Sequence, residues 1–203
     1  MSQKRDLDRL MERMVAEFVE HNQAALTLQT LLKDAGVGLT PVIDHVTLRT
    51  LDIDHRAEQF LALGYCFDET LEYDDWYAKV YRKTGYPALF VDQAYPGDRG
   101  RTSIIPGWVN TFGDQVFHHI AVRVEDIDHA VQQLKKHGIV FAGHIVGARG
   151  DSLRQIFSSP EMVDGHPFSV LELAERHQGY LGFLPPQADS LMKSTAPQPP
   201  IPK

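Results

Sequence analysis

HVTLRTLDIDHRAEQFLALGYCF, residues 45–67, and HIAVRVEDIDHAVQQLKKHGIVF, residues 119–141, are the two stretches that decide how this chain folds. Laid over one another without a gap, they agree at nine of 23 positions. His45 falls on His119, Arg49 on Arg123, Asp52 on Asp126, Ile53 on Ile127 and Asp54 on Asp128. His55 falls on His129, Gln59 on Gln133, Gly64 on Gly138 and Phe67 on Phe141. Self-similarity at a fixed offset marks a repeated structural unit. The ends of the units also correspond, YPALFVD of residues 86–92 with HPFSVLE of residues 166–172. Within each copy a β-branched run reads as a strand. Helical spacing follows, as in Ile53, Ala57, Phe60 and Leu61, and a glycine then stands at the C-cap position. Three short strand candidates come next, near 65–70, 76–83 and 87–93 in one copy and 139–146, 152–158 and 167–175 in the other. The expected fold is therefore α+β, with one βαβββ module over residues 41–93 and a second over 116–176. A four-stranded module exposes one sheet face, and pairing two such modules gives a mixed sheet with a cleft between them.

Around the repeat, residues 1–40 read as a helical extension. Leu7, Leu10, Met11, Met14, Val15 and Phe18 make one apolar stripe, and a second helical stretch with Leu26, Leu31 and Leu32 ends at Gly36. A polar opposite face suits an element that covers an open side of the domain. Residues 94–115, with several Gly and Pro, read as a linking loop. Residues 177–193 form a C-terminal segment, and the Pro-rich residues 194–203 are expected to be disordered.

The formal net charge of -7 argues against a nucleic-acid partner, because the basic residues are scattered rather than clustered. No apolar run approaches bilayer length, so no membrane partner is expected. One cysteine, Cys66, excludes an intramolecular disulfide, and the charged N-terminus lacks a signal-peptide core. A cytoplasmic location is the expectation.

Two βαβββ modules with a histidine on each first strand and an acid on a last strand resemble the vicinal oxygen chelate superfamily, over residues 42–176. Within it, FHHIAVRVEDIDHAVQQLKKHGIVF, DSLRQIF and VLELAER are similar to the metal-binding half of 4-hydroxyphenylpyruvate dioxygenases. IDHVTLRT is similar to the His-x-x-x-Arg-Thr signature of the 2-oxoadipate dioxygenase/decarboxylase (hydroxyglutarate synthase) family. Both resemblances imply a mononuclear non-haem iron held by two histidines and a carboxylate, and oxidative decarboxylation of a 2-oxo acid. Residues 1–40 are too few to form the extra N-terminal pair of modules of the hydroxyphenylpyruvate enzymes. Their closing C-terminal helix has a faint counterpart in HQGYLGFLPPQADSLMKS, where a lid helix near Leu191 is expected. Modules of this kind often pair across chains, which makes a homodimer a further expectation.

Strand alternation puts His45, Thr47 and Arg49 on one face, and His119, Ala121 and Arg123 on one face. A carboxylate such as Glu172 amid apolar strand residues is costly unless paired or metal-bound. His45, His119 and Glu172 are thus the expected metal ligands. A set of two imidazoles and one carboxylate leaves coordination positions open and favours Fe(II). A lone strand histidine is commonly a structural residue; two at equivalent repeat positions with an acid outweigh that reading. His118 rivals His119, and parity with the repeat favours His119. His55 and His129 read as helix-capping residues and His166 as a turn residue. By resemblance, Arg49 holds a substrate carboxylate and Gln155 faces substrate; a salt bridge and a cross-strand hydrogen bond are the structural alternatives. For Arg123 a structural salt bridge is preferred. Trp76, Tyr77, Trp108 and Phe157 are pocket walls or plain core. Asp92 matches Glu172 in the repeat. As a fourth ligand it would fit a glyoxalase-like isomerase or lyase using Ni, Zn or Mn, the second reading; a metal-free binding module is the third.

Overall fold

The computed structural model describes residues 2–194. Two helices, α1 (Ser2–Glu20) and α2 (Gln23–Asp34), precede the first module. That module comprises β1 (Ile43–Arg49), α3 (Ile53–Ala62), β2 (Cys66–Glu72), β3 (Trp76–Arg82) and β4 (Ala88–Ala94). After α4 (Ile105–Phe112), the second module repeats the order with β5 (Phe117–Val124), α5 (Ile127–Lys136), β6 (Phe141–Val146) and β7 (Leu153–Ser158). A short hairpin of β8 (Met162–Val163) and β9 (His166–Pro167) interrupts it before β10 (Val170–Arg176), and α6 (Pro185–Ser194) follows. The tail expected to be disordered lies, apart from Ser194, outside the described residues.

The repeat is visible in local chemistry. Asp52 and Asp126 are the N-caps of α3 and α5, and their carboxylates accept the backbone N–H of His55 (3.1 Å) and His129 (2.9 Å). These two histidines are the third residues of their helices and both are exposed, in keeping with the capping reading. Gly64 and Gly138 close the helices at φ 93° and 86°, a conformation that disfavours a side chain.

The strands form one eight-stranded sheet in the order β2-β3-β4-β1-β5-β10-β7-β6. The modules meet edge to edge, through antiparallel pairing of β1 with β5, so each half of the sheet is a turned copy of the other. Alternation along the strands divides the sheet into two faces. Val46, Leu48, Leu89, Val91, Ile120, Val122, Ile156, Leu171 and Leu173 are buried beneath α1, α2, α3 and α5. The stripe of α1 completes this layer, and each fully buried large side chain of this kind contributes about 1.5–3 kcal/mol. Asn22 pins the helical extension: its Oδ1 caps α2 at Ala25 N (2.9 Å) and its Nδ2 donates to Ser169 Oγ (3.1 Å).

The opposite face carries the polar cluster and is covered by α4 and α6. The stretch expected to be a loop, 94–115, therefore holds a helix. Pro106 is tolerated in its first turn, where the missing N–H has no intrahelical partner. Ile105 and Trp108, three residues apart, are buried against the sheet.

Candidate metal centre

His45 and Glu172 come from β1 and β10, which lie on either side of β5, the strand that carries His119. One donor atom from each falls within 4.8 Å of the others. The Nε2 atoms of His45 and His119 converge on the same oxygen, Glu172 Oε2, at 3.2 Å and 3.3 Å. Neighbouring donors at bond lengths of about 2.0–2.2 Å around one ion stand at such separations, so the residues fit a single divalent metal. All three are buried, which suits a bound ion and not three free polar groups.

The backbone prepares this convergence through two bulges that parity alone does not reveal. Register along β1–β5 shifts between Ile43 and His45 and again between Thr47 and Leu48, which leaves Asp44 and His118 as the extra residues. These two positions are themselves equivalent in the repeat. Each swings its side chain beside the histidine that follows it. Asp44 Oδ2 accepts from His45 Nδ1 at 2.8 Å, and His118 Nδ1 lies 3.1 Å from His119 Nδ1. Hydrogen bonds to Nδ1 orient an imidazole and leave Nε2 for a metal. Thr47 Oγ1 lies 2.8 Å from His119 Nε2, within hydrogen-bond distance. Asp44 is in turn clamped by Arg176, with Nε to Oδ1 and Nη2 to Oδ2 both at 2.8 Å. Asp44, His118 and Arg176 were not among the expected site residues; the signal in the sequence was their place next to a repeated histidine or at the end of the Glu172 strand.

Electrostatics follow from burial and these partners. Burial would lower the His45 pKa, but Glu172 and Asp44 outweigh it and push it up to about 9. His118 and His119 are held well below 6.5 by burial, reinforced by Arg49 and neighbouring imidazole charge, so both are neutral at pH 7. Desolvation works against the Asp44 carboxylate, yet its bonds to His45 and Arg176 hold it well below the usual range.

Gln155 donates through Nε2 to Glu172 Oε1, so it orients the carboxylate across the diagonal of the β7–β10 pairing. Arg49 faces the cleft as parity requires and is 2% exposed. Its Nη2 donates to Met192 Sδ (2.8 Å), while its Nε has no hydrogen-bond partner. Burial lowers its pKa to about 10, which keeps it charged at neutral pH. Asp92 stands opposite Arg49 in register, outside the three-residue cluster, with Oδ1 unpartnered. Burial dominates the opposing charges of Arg49 and His45 and pushes its pKa up to about 7. Arg123 is exposed and forms no ion pair within 4.0 Å among the described residues, contrary to the salt bridge expected. His166 opens β9 just after the turn at Asp164 and Gly165.

Trp76 and Phe157 line the cavity over the cluster, Trp108 lines a neighbouring chamber, and Tyr77 packs on the helix-covered face. Phe183 lies edge-on to His45, with ring centroids 5.1 Å apart. Helix α6 closes the top with Ala188, Leu191 and Met192, leaving about 40 Å³, room for roughly one or two waters. Among the described residues no helix is long and apolar enough to cross a membrane.

Comparison with known proteins agrees with this architecture. The profile of the Glyoxalase/Bleomycin resistance protein/Dioxygenase superfamily matches residues 44–157, more than half of the chain. A protein of Shewanella frigidimarina described as a hydrolase superposes with a TM-score of 0.73 at 18% identity, over 87% of this chain and 97% of its own. A glyoxalase superfamily protein from Ralstonia eutropha gives 0.65 at 15% identity, over 86% and 84%. A mutant of 4-hydroxymandelate synthase from Streptomyces coelicolor gives 0.59 at 17% identity, over 78% of this chain and 55% of its own. Such identities speak for the fold alone. Comparison with curated protein sequences gives no match. With more than half its length matched and the twofold module arrangement in place, the chain belongs to the glyoxalase/bleomycin resistance protein/dioxygenase superfamily.

Proposed function

We propose that this protein is a mononuclear non-haem Fe(II) dioxygenase that oxidatively decarboxylates a small 2-oxo acid. The observation that carries the reading is the donor set: two neutral-capable imidazoles and one carboxylate, with no fourth side-chain donor in the cluster among the described residues. That pattern suits Fe(II), and its open positions suit a chelating 2-oxo acid together with O2. The bound metal would polarise the substrate carbonyl and supply the redox chemistry.

The chain's own residues have definite tasks in this reading. Asp44 and His118 hold the two imidazoles so that Nε2 of each faces Glu172. Gln155 keeps the second carboxylate oxygen engaged, so Glu172 offers Oε2 alone. His45 gives up a proton when metal binds, because its pKa in the metal-free site is about 9. Arg49 supplies positive charge to an anionic part of the substrate, and α6 excludes water once the substrate is seated.

Elemental analysis of protein purified without added metal, with oxygen uptake and CO2 release measured over a panel of 2-oxo acids, tests the reading. Iron at one per chain and matched uptake and release are expected. A second reading, a glyoxalase-like isomerase or lyase, draws on Asp92, a buried carboxylate at the repeat-equivalent of Glu172 with an unpartnered oxygen. Bound Ni, Zn or Mn with no oxygen uptake would favour it. A His45→Ala protein with unchanged metal content would instead favour a metal-free binding module.

A further inference from the structure

Beside the metal cavity lies a chamber of about 280 Å³ between α4 and the β8–β9 hairpin, lined also by Arg49, His118 and Val170 of the central strands β1, β5 and β10. His118 is a wall of both spaces. Its ring is 5.3 Å from that of His119 on one side and 5.6 Å from that of Trp108 on the other. The metal cavity alone, at about 40 Å³, cannot hold more than the reacting end of a substrate. The chamber shares the His118 wall with that cavity and is large enough for the rest.

Its walls have a particular chemistry. Trp108 and Phe168 are nearly parallel, at 4° with centroids 6.2 Å apart, and Phe112 leans toward both. The indole is fixed, because Trp108 Nε1 donates to the Phe168 carbonyl at 2.7 Å. Flat aromatic walls favour a flat aromatic guest. The Arg49 guanidinium lies 5.5 Å over the Trp108 ring and lines the same chamber. It is buried, its Nε has no partner, and its Nη2 has only a thioether sulfur, a weak acceptor. No carboxylate makes an ion pair with Arg49 within 4.0 Å among the described residues. A desolvated guanidinium with an open donor is a ready site for an anion.

We infer that this chamber binds an aromatic ring bearing an acidic substituent, the ring against Trp108 and the acid on Arg49. Resting on the dioxygenase reading, this names the distal half of the substrate: an acidic arene joined to the 2-oxo acid end that meets the metal cluster.

The test separates the chamber from the chemistry. Binding of 1-naphthoate and benzoate is measured by calorimetry on the intact, chelator-treated protein, with glutarate and cyclohexanecarboxylate as non-aromatic controls. Gly107 borders the chamber, and a Cβ built there meets no atom within 4 Å, so Gly107→Phe fills the space without a backbone clash. The aromatic acids are expected to bind at least tenfold more tightly than the controls. Gly107→Phe should weaken them at least tenfold while the thermal midpoint holds, and Arg49→Met should weaken them at least as much. Equal affinity for all four acids, or unaltered naphthoate binding in a folded Gly107→Phe protein, would overturn the inference. If aromatic acids bind as described but no 2-oxo acid drives oxygen uptake, the chamber stands and the dioxygenase reading falls. Oxygen uptake with aliphatic 2-oxo acids that Gly107→Phe leaves intact would have the opposite meaning.

Discussion

Replacing Asp44 by alanine should disturb both stability and metal binding, because one carboxylate serves two buried partners. Its oxygens meet His45 Nδ1 and two nitrogens of Arg176, all at 2.8 Å, and the Arg176 side chain is only 1% exposed. Arg176 also donates to the Gly182 carbonyl at 2.7 Å and stacks over Phe183, so the clamp reaches the segment leading to α6. Removing one member of a buried pair strands the other charge and costs about 3–5 kcal/mol. Arg176→Met alone should cost a similar amount. The double replacement leaves no stranded charge, so its cost should fall below the sum of the singles by about 2–3 kcal/mol. Urea unfolding of chelator-treated protein at pH 7 measures all four corners of this cycle. Metal titration supplies the second readout: His45 loses its orienting acceptor, and affinity should drop by about 10–100-fold. Additive stabilities with unaltered metal affinity would refute the argument that Asp44 links the ligand to the C-terminal segment.

Other outcomes follow from the same geometry. The metal-free protein should be most stable near pH 6.5. The His45 pKa is raised to about 9, so its contribution, about 3 kcal/mol, is complete below pH 6.5 and lost as pH rises through 9. His118 and His119 have depressed values and are buried neutral, so stability also declines as pH falls below 6.5, where the unfolded chain gains protons. Chemical denaturation midpoints across pH 5–10 would show the maximum, and a flat profile would count against it. His118→Ala should weaken metal binding roughly tenfold in a competitive chelator assay, since His119 loses the neighbour at its Nδ1. Truncation after Leu184 keeps Phe183 and removes α6; metal affinity should persist while turnover collapses, and full turnover would dismiss α6 as a lid.

The candidate metal-binding trio was legible because the repeat exposes it: His45 and His119 occupy one position twice, and Glu172 is the acid at the end of the second copy. The capping aspartates and closing glycines were readable for the same reason, since their spacing is local and recurs. Helix α4 was hidden because Pro106, Gly107 and Gly113 are read as loop residues, although Pro106 costs nothing in a first turn. Gln155 was expected to face substrate or to make a cross-strand hydrogen bond; it lines the cavity, and only the strand register shows that its bond goes to Glu172.

What the sequence by itself determined is the order of elements, the duplication and the chemical identity of the groups that could hold a metal. Those depend on near-neighbour periodicity, which a linear chain records. The tertiary structure alone decided how the modules join at β1 and β5, and where bulges turn Asp44 and His118 toward the ligands. It also decided that α6 closes the site and that Arg49 borders an aromatic chamber. A bulge adds one residue with no mark in composition, and closure brings together segments more than 140 residues apart, as Arg49 and Met192 are. Such contacts are set by packing of the whole sheet, not by any local pattern.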